Sequence, residues 1–303
     1  MDWKSKSIVI TGAGRGIGLG LARHLARLGA AVVIDDTGVE LNGAPGDSEL
    51  AERVAAEIRQ AGGQAVACNQ SIAEPATGEK LVQLAIKQFG RLDAWVNAAA
   101  ITSDRMLFNM TDEAWQQVLA NNLSGTFFGM RAALKHFKQA KAGRLLNVIS
   151  TAGLIGNVGQ ANYAAAKAGM FALTRVAALE MARYGVTVNC VAPFARTRMT
   201  ESIKPATPEQ QKYLDGARRA TVEHILPLLT YLISDDATEI SGQVFGARGN
   251  EVFVFSQPRP VATIGQPSGW THEALHETLN SRLRSHFAPL QTDLELFQHE
   301  PLV

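Results

Sequence analysis

A glycine cluster lodged between a strand pattern and a helix pattern constrains this chain most. Ser7-Ile8-Val9-Ile10 is a short apolar run that reads as a strand, and Thr11-Gly12-Ala13-Gly14-Arg15-Gly16-Ile17-Gly18 follows it directly. From there Ile17, Leu21, Leu25 and Leu28 recur at helical spacing until Gly29. Glycines permit a tight turn and a close approach of backbone to a pyrophosphate. The helix N-terminus adds free N–H groups and the positive end of its dipole. A glycine triplet alone is weak evidence. In a strand–turn–helix setting it reads as a dinucleotide-binding loop rather than a structural turn.

The alternation continues. Ala31 to Ile34 is a second strand ending at Asp35-Asp36, and Leu50, Val54 and Ile58 mark a helix that stops at Gly62-Gly63. Ala65 to Cys68 is a third strand. Leu81, Leu84, Ala85 and Phe89 mark a helix closed by Gly90, and Leu92 to Val96 is a fourth strand. Asp112 to Ala140 reads as one long helix with a flexible Ser124-Gly125 inside it. Arg144 to Ile149 is a strand, Ala161 to Tyr184 a helix and Val186 to Val191 a strand. Val222 to Ile233 is helical, and Val244 to Phe255 reads as two strand pieces around a Gly249-Asn250 turn. This pattern predicts an α/β fold: a single doubly wound, Rossmann-type parallel sheet of about seven strands with helices on both faces.

A chain of 303 residues carries a soft prior of two domains, but α/β folds often run this long as one. One domain is expected over 1–256. A Pro- and His-rich extension over 257–303 holds one short helical candidate, Thr271 to Arg284. Its apolar residues Phe287, Leu290, Leu294 and Phe297 are expected to pack on the body or on a neighbouring subunit. Thr37 to Ser48 is a loop longer than usual after a second strand.

Lys plus Arg number 29 and Asp plus Glu 28, for a net charge of +1, which argues against nucleic acid as a partner. No stretch reaches the roughly 18 apolar residues of a membrane span, and the N-terminus shows no secretory pattern. The two cysteines, Cys68 and Cys190, read as buried reduced thiols, and no metal-ligand spacing occurs among them and the seven histidines. The expectation is a soluble cytoplasmic protein with no metal, no nucleic acid and no membrane.

Asp35-Asp36 lies about 20 residues beyond the glycines, where a carboxylate accepts from the adenosine ribose hydroxyls and repels a 2′-phosphate. Asp36, just past the strand, is the better placed. This favours NAD, while Arg15 could pair with a 2′-phosphate and keeps NADP open. Tyr163 and Lys167 stand four apart in a helical pattern, on one face. Free tyrosine has a pKa of about 10. A neighbouring ammonium favours the phenolate, so Tyr163 could exchange a proton with a carbinol or carbonyl near neutral pH. Ser150, at the end of the fifth predicted strand, could hydrogen-bond the same oxygen.

These pieces, with Asn97-Ala98-Ala99-Ala100, Asn121-Asn122-Leu123 and Ala192-Pro193, stand in the order and at the spacing of a family. Over residues 5 to 256 the chain resembles the short-chain dehydrogenase/reductase family. The resemblance implies that Tyr163 is the acid/base, that Lys167 lowers its pKa and holds the nicotinamide ribose, and that Ser150 orients the substrate oxygen. It implies that Asn122 anchors a water chain behind Lys167, with Asn121 the adjacent alternative. It implies cofactor contacts at Gly12, Arg15, Gly16, Ile17, Gly18, Asp36, Gln70, Ser71, Asn97, Ala98, Ala99, Tyr163, Lys167, Pro193 and Thr197.

The long loop, the shortened Pro193-Phe194-Ala195-Arg196-Thr197 segment and the late hairpin resemble one branch. That branch comprises the (3R)-hydroxyacyl-CoA dehydrogenase module of peroxisomal multifunctional enzyme type 2 and its bacterial relatives. It implies an NAD-dependent interconversion of a secondary alcohol and a ketone on a 3-hydroxyacyl-CoA, fatty-acyl or steroid side-chain, in a homodimer or homotetramer. A 3-oxoacyl-acyl carrier protein reductase or a hydroxysteroid dehydrogenase is the alternative, and a non-enzymatic NAD sensor or scaffold the remote one.

Two departures stand out. Ala100 replaces a glycine where backbone nears the cofactor, and Gln70 replaces the aspartate that usually meets adenine; its amide oxygen can still accept. Met106, Leu107 and Phe108 could line an apolar pocket or simply cover the core. Arg196 and Arg198 could meet an acyl-CoA phosphate or be solvated. Trp95 and Trp115 read as packing residues.

Overall fold

The computed structural model describes residues 2–202, 208–297 and 299–303. Its first half alternates β1 (Ser7–Thr11), α1 (Gly16–Arg27), β2 (Ala31–Asp35), α2 (Leu50–Gln60), β3 (Gln64–Cys68), α3 (Thr77–Phe89) and β4 (Ala94–Asn97). Then come α4 (Asp112–Val118), α5 (Gly125–Ala140), β5 (Gly143–Val148), α6 (Ala161–Met181) and β6 (Val186–Phe194). The series ends with α7 (Arg198–Ser202), α8 (Pro208–Arg219), α9 (Val222–Leu232), β7 (Val244–Arg248) and β8 (Glu251–Val254).

Among the described residues the eight strands join one sheet in the order β3-β2-β1-β4-β5-β6-β7-β8. β1, β2 and β5 are buried along their whole length, so their apolar residues run continuously rather than alternating. One face of the sheet packs on Leu21, Leu25, Val54, Ile58, Leu226 and Leu229. The other packs on Leu81, Met130, Phe137 and Met181, with Trp95 fully buried among them. The sheet has eight strands where about seven were expected, because both arms of the Gly249-Asn250 hairpin join it. β8 returns antiparallel, with Arg248 facing Glu251 across the turn.

The helix expected over Asp112 to Ala140 is continuous but not uniform. Leu119–Ser124 forms a π-helical turn between α4 and α5, in place of a flexible Ser124-Gly125. Such turns occur often at functional sites; this one turns Asn122 fully inward. β6 runs on to Phe194, which carries Pro193 past the expected strand end.

The chain divides into two units, one running through Phe255 and resuming over Thr292–Val303, the other Ser256–Gln291. The 257–303 segment is thus not one piece. In the second unit, α10 (His272–Thr278) starts at Thr271, whose hydroxyl accepts from Ala274 N at 3.2 Å. Phe287 and Leu290 are exposed.

In the first unit, α11 (Asp293–Leu296) opens with a capping box. The Thr292 hydroxyl accepts from Glu295 N, and the Glu295 carboxylate accepts from Thr292 N at 2.7 Å. Phe297, which follows it, is buried with ring centroids 4.7 Å from Phe194 and 5.4 Å from Phe253. The buried Arg248 guanidinium donates to the carbonyls of Phe297, at 3.2 Å, and His299. Asn250 N donates to Leu302 O at 2.6 Å. The last residues are therefore stitched to the hairpin at the sheet edge.

Candidate active site

The strand order reverses between β1 and β4, and in open α/β sheets the crevice outside the carboxyl ends at such a point binds ligands. A cavity of about 710 Å³ opens there. The glycine loop lines it through Gly12, Arg15, Gly16, Ile17 and Gly18. Two of these glycines do different work. Gly12 has φ +67°, and a Cβ on it would lie 2.5 Å from Ala99 Cα, so here glycine lets the chain after β4 cross the loop. Gly16 has φ +54°, which favours glycine, and it lines the cavity, where a Cβ would meet only the Thr197 side chain at 3.6 Å, an ordinary contact. α1 starts without a side-chain cap. An open cradle and uncapped N–H groups fit the pyrophosphate of a dinucleotide.

The carboxylate of Asp36 accepts from Gly14 N at 2.8 Å and Gly38 N at 2.7 Å, tying the glycine loop to the long loop that follows. Asp35 is buried. Burial first, and then the neighbouring Asp36 charge, hold its carboxyl well above the usual carboxylate range. Asp36, less buried than Asp35, presents its carboxylate at the cavity wall. Arg15 donates to Val39 O at 3.0 Å and lies 3.8 Å from the Glu40 carboxylate, which also pairs with Arg198 at 3.1 Å. The long loop thus occupies two cations of the cavity wall.

Gln70 and Ser71 line the cavity after β3, and Ala98 and Ala99 after β4. The Gln70 amide oxygen already accepts from Lys80 Nζ at 2.8 Å. Asn97 does not line the cavity. Its amide is spent in a buried chain, accepting from Trp95 Nε1 at 2.7 Å and donating to Asn147 Oδ1 at 2.8 Å. This corrects its place among the cofactor contacts: the side chain ties β4 to β5.

The residues expected to carry chemistry meet at the other end. Ser150 caps the turn after β5, its hydroxyl accepting from Ala152 N at 3.2 Å. Tyr163 and Lys167 project from α6, and all three line the cavity, as do Pro193 and Thr197. Lys167 Nζ donates to Val148 O at 2.7 Å and lies 5.5 Å from the centre of the Tyr163 ring.

Burial pushes the Tyr163 phenol up to about 12, against a lowering hydrogen bond with Ser150, and burial brings the Lys167 ammonium down to about 7. Desolvation is the largest cause for both groups. Asn122 does not reach Lys167 directly: its amide accepts from Ile101 N and donates to Ile101 O, each at 2.9 Å. Asn121 lines the cavity instead.

Sequence reading missed several wall residues. The Tyr163 hydroxyl donates to Met199 Sδ at 3.9 Å, and Thr292, Asp293 and Leu294 border the cavity. The Thr292-x-x-Glu295 pattern is a capping-box signature and could have located α11, though not where it docks. Met106, Leu107 and Phe108 are exposed and do not line the cavity. Arg196 pairs with Glu201 at 2.8 Å on the surface. Among the described residues no group of His, Cys, Asp and Glu could hold a metal ion, and no helix is long and apolar enough to cross a membrane.

A family model described as short chain dehydrogenase matches residues 6–208. The hydroxyacyl-CoA dehydrogenase ChsB1 of Mycobacterium tuberculosis is 42% identical over 266 residues, covering 85% of this chain and 81% of that protein. The peroxisomal multifunctional enzyme type 2 of Mus musculus is 38% identical over 80% of this chain, which spans only 31% of that longer protein. The crystal structure of a short chain dehydrogenase from Mycobacterium avium superposes with a TM-score of 0.82 at 35% identity, covering 96% of this chain and 99% of that one.

Proposed function

Because the chain belongs to the short-chain dehydrogenase family, we propose that it is an NAD-dependent oxidoreductase interconverting a 3-hydroxyacyl thioester, carried on CoA, with its 3-oxo form. One observation carries this reading: Ser150, Tyr163 and Lys167 converge in a cavity continuous with the Gly16 cradle. Names of relatives that act on hydroxyacyl-CoA esters support the substrate class. The nicotinamide cofactor, when bound, supplies the acceptor or donor of hydride.

The chain's own residues handle the proton and the oxygen. Ser150 Oγ holds the substrate oxygen. Tyr163 Oη gives a proton to that oxygen in reduction and takes one in oxidation. A phenol held protonated by burial is ready to donate; in oxidation its proton must leave first, and a cation at Lys167 favours that. Lys167 Nζ, with one N–H on Val148 O, retains others for a ribose hydroxyl.

Asp36 supports NAD over NADP, since its carboxylate faces the ribose end and would repel a 2′-phosphate. Glu40 adds to this, because it engages the two arginines that a 2′-phosphate would need. Exposed Val176 and Leu179 on α6 fit assembly as a homodimer or homotetramer.

A panel of 3-hydroxyacyl-CoA and hydroxysteroid substrates, each assayed with NAD and with NADP, tests the proposal. CoA esters turned over with NAD are expected. A strong preference for NADPH with acyl carrier protein esters, or for sterols, would replace it.

A further inference from the structure

Three consecutive residues at the start of α7 meet three different parts of the cavity. The Thr197 methyl lies 3.6 Å from the position of a Cβ on Gly16, in the dinucleotide cradle. Arg198 Nη1 donates to the Glu40 carboxylate at 3.1 Å. Met199 Sδ accepts from the Tyr163 hydroxyl at 3.9 Å. All three residues line the cavity, as does Glu40.

Glu40 belongs to the long loop after β2, which is pinned on both sides of it. The Asp36 carboxylate accepts from Gly38 N at 2.7 Å, and Leu41 O accepts from Thr102 N at 2.8 Å, beyond β4. Within the loop, Glu40 N donates to Ala44 O and Asp47 N to Gly38 O, each at 2.9 Å. The Glu40 carboxylate also lies 3.8 Å from Arg15 of the glycine loop, whose guanidinium donates to Val39 O at 3.0 Å. α7, by contrast, is five residues long, and the chain entering it is tied down by Arg196 N, which donates to Ala220 O at 2.7 Å. The pinned loop and the short helix meet in two ways. Val39 and Met199 pack on the same apolar cluster, which includes Ile101 and Tyr163. Glu40 and Arg198 form an ion pair whose side chains are 53% and 42% exposed.

We infer that Glu40 is a positioning residue: paired with Arg198, it latches the start of α7 over the bound dinucleotide and slows release of the cofactor. This rests on the NAD reading above, under which Glu40 keeps its arginines. Glu40 touches no reacting atom. It acts through Arg198, on the segment that carries Thr197 and Met199. The latch must open at every turnover, because the cofactor leaves in its other oxidation state. An exposed pair suits that task, since it contributes little and salt weakens it. Lid opening and product release set the rate of many enzymes.

Release of NADH tests the latch. Protein loaded with NADH is mixed with excess ADP-ribose, and the loss of bound-NADH fluorescence is followed by stopped flow. Wild type, Glu40→Gln, Arg198→Gln and the double variant are compared. Each single substitution should speed release about 2- to 5-fold, the size of an exposed ion pair. The double variant should release no faster than the faster single, because either change opens the same latch. The gap between wild type and Glu40→Gln should close as salt rises from about 20 mM to about 500 mM. Only molecules that hold NADH give a signal, so misfolded protein does not enter the rate. Release unchanged or slowed in Glu40→Gln would overturn the inference. So would single effects that multiply in the double variant, which is what a Glu40 that merely braces its own loop would give. Failure of the wild type to bind NADH would instead remove the NAD reading and, with it, the latch.

Discussion

The two ends of the cavity are built on different plans. Around β1, β2 and β3 the wall comes from neighbours in sequence: the loop from Gly12 to Gly18, the carboxyls at 35 and 36, and Gln70 beside Ser71. Short-range geometry fixes them, as when Asp36 reaches back to Gly14 N. Around β5, β6 and β7 the wall is assembled from parts remote in sequence. Ser150 ends a strand, Tyr163 and Lys167 ride on a helix, Met199 follows β6, and Asp293 arrives from near the C-terminus. A local motif can be read and altered one residue at a time. A long-range assembly depends on packing that lies outside the site, so its weak points are elsewhere in the fold.

The sharpest way to break this contrast is Phe297→Ala. It touches no reacting group, yet it removes the ring packed on Phe194 and Phe253 that holds the C-terminal segment down. A loss of about 2–4 kcal/mol in urea unfolding is expected, with KM for the substrate rising more than KM for the cofactor. If both KM values rise equally, the two ends are not independent.

A smaller effect is expected at the local end. Asp36→Ala should lower the preference for NAD over NADP by about 10- to 100-fold, the order of one screened carboxylate–phosphate repulsion. It should also cost about 1–2 kcal/mol of stability, since Gly14 N and Gly38 N lose their acceptor. Competition kinetics with the two cofactors measures this, and an unchanged preference would show that Asp36 does not face the ribose.

The smallest effect concerns Asp35. Its folded-state pKa is raised from 3.8, so the native protein keeps a proton that the unfolded chain loses. Stability at this group is therefore fully present below the unfolded value and falls as pH rises through the folded value. Asp35→Asn should remove that slope. The difference in Tm between variant and wild type should grow in favour of the variant from acid to neutral pH; a difference constant with pH would show that Asp35 is already ionised.

The same contrast explains what was legible in the sequence. The alternation of strands and helices, the glycine loop and Asp36 could be read because each rests on local periodicity or fixed spacing, whereas the Ser150–Tyr163–Lys167 set was read only through its resemblance to a family. The Gly249-Asn250 turn was visible, but whether β8 would join the sheet depended on its pairing with β7. Asn97 was misplaced because a strand-end asparagine reads alike whether its amide faces a ligand or, as here, Asn147 across the sheet. The burial of Tyr163 was not legible, because spacing shows the nearby cation and hides the apolar surroundings that raise the phenol. Asp293 had no local signal beyond a capping box, since its place at the cavity wall comes from a hydrogen bond with Thr151, 142 residues away in sequence.

The central claim is that Tyr163 transfers the proton in an NAD-linked oxidation of a 3-hydroxyacyl thioester. It is tested most directly by following NADH formation from 3-hydroxybutyryl-CoA in wild type and Tyr163→Phe, with NADH binding measured on both by fluorescence. The account predicts NADH formation by the wild type, a fall in kcat of about 100-fold or more in the variant, and unchanged NADH binding. Turnover retained in Tyr163→Phe would contradict it.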